Sequence, residues 1–199
     1  MVPATTAKEL DRILSEHPEV KEILIDWTER PIQRSSDYEK QKKDYSGKKK
    51  KHTLKNLILT GENKMILWIS KSEWGKMHDY KILKKSGFMS VLVWYAIFVD
   101  LWFQWILRDY PWYNIFIPKK NYKNKPLSNE EKEENMLISS IRVVVENIIG
   151  WAKKYRIIAN RYRNRIRWSF TTVTSNRKHV VMLVVCGLYN LWKSTLFRN

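Results

Sequence analysis

Apolar positions along the chain change period several times, and each change predicts an element. Leu10, Ile13 and Leu14 recur at helical spacing, so residues 7–16 are expected to form a short helix with one buried face. The run EILID at 22–26 is apolar and ends on a carboxylate, which predicts a buried strand with Asp26 at its C-terminal end. Residues 31–51 are polar and charged, with Gly47 followed by lysines, and read as an exposed loop. Two strand-like runs at 52–60 and 65–70 flank GENK at 61–64, a hairpin signal. A helix is expected over 79–85, followed by two short buried strands at 96–100 and 114–117, the first again ending on an aspartate, Asp100. Ser128 with Glu131 three residues later forms a capping box, and the acidic cluster at 130–134 suits the positive end of the helix that follows. Ile138, Ile141, Val145, Ile148, Ile149 and Ala152 mark one face of that helix, with Glu146 beside it. An apolar helix is expected from about Lys178 to Leu196.

This order of strand, hairpin, helix, strand, strand and long helix fits an α/β fold, a mixed sheet flanked by helices. The first and fourth strands can lie side by side in parallel, which brings Asp26 and Asp100 to neighbouring strand ends. A helix packed on the sheet then carries Glu146 to the same point. At 199 residues the chain is long enough for one domain with a real core. The expected organisation is a helical lead-in over 1–21 and a single domain over 22–199, and no internal repeat is visible.

The run from Phe88 to Leu107 has the length of a membrane span. Against that reading, Asp100 would lie in hydrocarbon, and the β-branched and aromatic residues around 96–99 are those of a buried strand. The first 20 residues are rich in charge and lack an apolar secretory core, so a cytoplasmic protein with no membrane partner is expected. Cys186, the single cysteine, can form neither an internal disulfide nor a thiolate-rich zinc site, and its apolar surroundings predict a core position.

Charge narrows the partners. Lysine and arginine number 37 against 20 acidic residues, a net charge of +17, which points to a polyanion and to nucleic acid first. Lys48, Lys49, Lys50 and Lys51, and the later Arg161, Arg163, Arg165 and Arg167, are the segments expected to meet DNA phosphates without reading sequence. Three carboxylates brought to one point repel one another unless cations lie between them, so Asp26, Asp100 and Glu146 together suggest hard metal ions, magnesium or manganese. Any chain with 20 acidic residues offers some such trio. The neighbouring residues therefore decide.

IDWTERPIQR at 25–34, YSGKKKKHTLKN at 45–56, HDYKIL at 78–83, VDLWFQ at 99–104, NIFIPKK at 114–120 and SSIRVVVENIIG at 139–150 follow one another in a familiar order. In these six segments the chain resembles the DDE-superfamily endonuclease domain of insertion-sequence transposases, over roughly residues 22–190. The resemblance implies an RNase H-like fold and metal-dependent DNA cleavage and strand transfer at element ends. By it Asp26, Asp100 and Glu146 are the catalytic residues and the ligands of two divalent ions, Mg²⁺ or Mn²⁺. It also marks His78 and Asp79 as an auxiliary pair, for which the plainer reading is an aspartate N-cap. The partners implied are transposon-end and target DNA, with either a separately encoded helix-turn-helix subunit or self-association, because the first catalytic aspartate arrives too early for the family's N-terminal recognition region. Two other readings remain open at this point: an inactive remnant that binds DNA by charge alone, and a membrane protein anchored by residues 88–107.

Ten tryptophans against six glycines depart from ordinary usage. The resembling family has glycine where this chain has Trp102 and Trp105, and a small residue is common at Trp27; Trp112 and Trp192 also stand at turn or small-residue positions, while Trp68 and Trp168 suit their surroundings. Some bacterial lineages read UGA as glycine, so these tryptophans are expected to be glycines translated with the wrong table. UGA codons at 102, 105 and 112 would support that reading.

Overall fold

Helices cover both faces of one mixed sheet in the computed structural model, which describes residues 1–161 and 171–196. The chain runs through α1 (Ala7–Glu16), β1 (Glu22–Pro31), α2 (Tyr38–Asp44), β2 (Tyr45–Ser46), β3 (Lys51–Gly61), β4 (Ile66–Ile69) and β5 (Glu73–Trp74). It continues through α3 (Asp79–Ser86), β6 (Ala96–Phe98), α4 (Ile106–Asp109), β7 (Ile115–Phe116), α5 (Asn129–Ala152), α6 (Arg156–Ala159) and α7 (Thr171–Leu196). The sheet order is β2-β3-β1-β6-β7, with β4 and β5 also paired to β3. β1, β3 and β4 are antiparallel neighbours, whereas β6 and β7 run parallel to β1. This is the RNase H-like α/β arrangement, a mixed sheet flanked by helices.

Alternation along β1 explains the two layers. Ile23 and Ile25 join Leu57, Leu59, Ile97 and Val99 in a core shared with Leu10, Ile13 and Leu14 of α1 and Leu83 of α3. Leu24 points the other way, with Ile58 and Phe98, into a core completed by Val145, Ile148 and Ile149 of α5 and Met182, Val185 and Cys186 of α7. Because both faces are covered, the strand reads as a continuous apolar run rather than an alternating one. At about 1.5–3 kcal/mol for each fully buried aliphatic side chain, these two layers are the main favourable term in holding the sheet.

Helix ends follow their local signals. Ser128 accepts from the Glu131 backbone N–H at 3.2 Å, and Glu131 accepts in return from the Ser128 N–H at 3.0 Å, the expected capping box at the head of α5. α3 stops at Gly87, whose φ of +70° is the left-handed conformation that glycine adopts at least cost.

Three expectations change. Residues 31–51 are not all loop: Asp37 caps α2 by accepting from the Glu39 N–H (2.9 Å) and Lys40 N–H (3.2 Å), and β2 pairs with β3. The sequence YEKQKKD carries no apolar stripe, so periodicity could not disclose this helix. β1 does not end at Asp26 but runs on to Pro31, because β3 continues to pair with it down to Pro31 opposite Thr53. The apolar run at 88–107 is broken into two 3₁₀ turns, β6 and α4, and among the described residues no helix is long and apolar enough to cross a membrane.

Candidate functional site

The parallel pairing of β1 with β6 ends at Leu24 opposite Phe98. Two residues further along each strand stand Asp26 and Asp100, on the same side of the sheet as Leu24 and Phe98 and beyond the last paired residues. Both carboxylates bend back onto the chain: Asp26 Oδ1 accepts from the Trp27 N–H and Asp100 Oδ1 from the Leu101 N–H, each at 2.7 Å. The second bond makes Asp100 the cap of the 3₁₀ turn that follows. α5 lies across this point and contributes the third carboxylate, Glu146. Its neighbours at i−4 and i+7, Arg142 and Lys153, project in the same direction.

Asp26, Asp100 and Glu146 line one cavity of about 310 Å³ with Trp27, Glu29, Lys48, Lys49, Arg142 and Lys153. Burial pushes the Asp26 carboxyl up to about 6; the Trp27 N–H and Arg142 oppose that shift, and the charges of Asp100 and Glu146 add to it. Lys153 is held below its ordinary value by partial desolvation and then by the charge of Lys49. Arg142 stands between two of the carboxylates, 3.4 Å from Asp100 Oδ1 and 3.6 Å from Glu146 Oε1. Among the described residues, no three His, Cys, Asp or Glu side chains are close enough as they stand to share one metal ion. The donor set still fits a hard cation: three carboxylates face one polar cavity, and a guanidinium already supplies positive charge among them.

Beside this pocket, Lys55 forms a buried charge network that includes Glu29 of the pocket lining. Its Nζ donates to Asp79 Oδ1 at 2.8 Å and to the Met77 carbonyl at 2.9 Å, and lies 3.7 Å from Glu29 Oε1. Thr53 donates its hydroxyl to the other Glu29 oxygen at 2.9 Å. Burying two carboxylates here is tolerable because the lysine offsets part of their charge at short range and each accepts a hydrogen bond, Glu29 from Thr53 and Asp79 from Lys55. His78, not Asp79, is the N-cap of α3: its Nδ1 accepts from the Tyr80 N–H at 3.3 Å, which leaves Asp79 for Lys55. His78 and Asp79 therefore line a second cavity of about 380 Å³, which shares Lys48 with the carboxylate pocket.

Of the basic residues singled out in the sequence, Lys48 and Lys49 line the carboxylate pocket, while Lys50 and Lys51 are exposed just beyond it. Arg161 is exposed, and Arg163, Arg165 and Arg167 lie outside the described residues, as does Trp168. The sequence reading missed Arg142, Lys153, Glu29 and Lys55. Arg142 and Lys153 could have been found from their spacing to Glu146 on one helix face, whereas Glu29 and Lys55 depend on pairing between distant strands.

The tryptophans fall into distinct environments. Trp68 is 1% exposed in the core, whereas Trp102, Trp105 and Trp112 are 61%, 53% and 90% exposed. Trp27 is half-buried beneath two ammonium groups, with Lys48 Nζ 4.6 Å and Lys55 Nζ 5.0 Å from its ring centre. Trp192 stacks on Trp151 at 5.5 Å.

Compared with known proteins, residues 25–190 match the DDE superfamily endonuclease model. A probable transposase for insertion sequence element IS702 of Microchaete diplosiphon is 34% identical over 148 residues, covering 73% of this chain and 51% of that protein. The chain thus spans about half the length of this curated relative. No solved structure is matched.

Proposed function

Because this chain belongs to the DDE superfamily endonuclease family, we propose that it is the catalytic part of an insertion-sequence transposase, cutting DNA strands at element ends and joining them to a target. One observation carries the reading: Asp26, Asp100 and Glu146 line a single pocket whose rim is basic, with Lys48, Lys49 and Lys153. Asp26, Asp100 and Glu146 would hold two divalent ions, Mg²⁺ or Mn²⁺. When bound, such ions activate an attacking oxygen and stabilise the leaving oxygen at phosphorus.

The chain's own residues do the rest. The β1–β6 pair fixes Asp26 and Asp100 two residues past their last rung, and α5 holds Glu146 over them. Lys48, Lys49 and Lys153 neutralise the phosphates on either side of the cut, so a strand lies along the rim with one phosphate over the carboxylates. Exposed Arg161 offers a further positive charge for phosphate. These groups position DNA without reading it, so recognition of element ends falls to other groups, such as a helix-turn-helix region.

The test is nicking of supercoiled plasmid by the purified chain with Mn²⁺. Wild type is expected to nick, and Asp26→Asn to fall to background. Equal nicking by the mutant would refute the site. Salt-sensitive DNA binding by wild type without any metal-dependent nicking would favour the remnant reading, to which the indoles of Trp27 and Trp102 on either side of Lys48 give some physical ground.

A further inference from the structure

Arg142 brings a positive charge among the carboxylates that line the pocket. Its side chain is 12% exposed, and its Nη1 and Nη2 lie 3.4 Å from Asp100 Oδ1 and 3.6 Å from Glu146 Oε1. Charge-assisted N–H···O bonds ordinarily measure about 2.7–2.9 Å. Both contacts are longer, so charge holds the guanidinium here rather than a fitted two-pronged fork. Its Nε is buried without a hydrogen-bond partner, a cost that a purely structural arginine would ordinarily avoid.

Resting on the metal-centre reading above, we propose that Arg142 is a built-in counter-cation: it offsets the charge of the pocket's carboxylates before a divalent ion binds and swings aside when one does.

Three features favour a replaceable occupant over a fixed strut. Arg142 and Glu146 are one turn apart on α5, so the guanidinium can leave by rotating its own stem while helix and sheet stay in place. Glu146 is 56% exposed, which leaves the pocket open to solvent on that side. A divalent ion carries twice the charge of the guanidinium and approaches carboxylate oxygens to about 2.0–2.1 Å, so it outcompetes a monovalent group held at ion-pair distance. Arg142 is thus a positioning residue: it keeps the carboxylates from repelling one another before metal arrives.

The test is Mn²⁺ binding by the full chain, followed by calorimetry and by the electron paramagnetic resonance signal of the free ion. Arg142→Gln should bind Mn²⁺ about tenfold more tightly than wild type, because a unit charge beside the ion is gone. Arg142→Lys keeps the charge and should stay within about threefold of wild type. In chelator the glutamine variant should melt below wild type, and Mn²⁺ should raise its melting temperature by more than it raises wild type's. Arg142→Met, which retains a long stem, takes the place of the glutamine variant if that fails to fold.

Asp26-dependent Mn²⁺ binding in wild type, unchanged or weakened by Arg142→Gln, would overturn the counter-cation role and leave the metal centre standing. Binding by the glutamine variant alone would support it most strongly. Absence of binding in both would remove the metal-centre reading and this role with it.

Discussion

Single residues at this site carry opposite demands. Asp26 is buried enough to raise its carboxyl to about 6, yet it faces two more carboxylates and leans on Arg142 and a backbone N–H to stay charged. The tryptophans divide just as sharply. Trp68 fills the core and touches Phe88, with ring centres 4.7 Å apart, so Trp68→Ala should cost about 3–5 kcal/mol in urea unfolding. Trp102 and Trp112 are mostly exposed, and changing either to glycine should cost no more than about 1 kcal/mol, chiefly from backbone entropy. A loss above about 2 kcal/mol at either position would show that the indole packs in solution. The same contrast bears on the expected miscoding: a chain with glycine at 102, 105 and 112 loses no core. UGG codons at those positions would overturn the glycine reading.

Elements hold the site through a few polar clamps. α3 and α4 are joined where Asp109 receives the Tyr80 hydroxyl at 2.6 Å and pairs with Lys84. Lys84 first, and Tyr80 next, draw the Asp109 carboxyl down to about 2. A carboxyl lowered on folding stabilises the fold above its unfolded value of about 3.9 and loses that contribution as pH falls toward the folded value. Thermal melts of wild type should therefore decline between about pH 4 and pH 2, and Asp109→Asn should show a shallower decline over that window together with a lower melting temperature at neutral pH. Parallel declines in the two proteins would mean that the clamp contributes nothing. α5 shows how one helix serves two layers: Val145, Ile148 and Ile149 bury it against the sheet, while Arg142, Glu146 and Lys153 reach the pocket.

Over the whole molecule, charge is distributed unevenly. The net charge is +17, yet the pocket gathers carboxylates inside a lysine rim. Non-specific DNA binding should weaken steeply with salt, with a log–log slope close to −0.9 for each phosphate neutralised. Changing Lys48 and Lys49 together to alanine should reduce that slope by about 2 while leaving any preference among sequences unaltered. Fluorescence anisotropy across a range of salt concentrations checks this, and an unchanged slope would place the DNA elsewhere on the surface.

Much of this was legible from sequence because it depends on neighbours in the chain. The capping box of α5, the hairpin around residues 61–64 and the apolar runs of β1, β6 and β7 are local patterns, and local patterns set local backbone shape. The segments around Asp26, Asp100 and Glu146 indicated the family for the same reason. Tertiary structure alone decided where β1 ends, since β3 carries the pairing past Asp26 to Pro31. It also decided that Lys55 pairs with both Glu29 and Asp79, and that Asp100 joins the Arg142–Glu146 pair of α5. Charges find partners through space, across strands and helices far apart in sequence, and no periodicity along the chain records those distances.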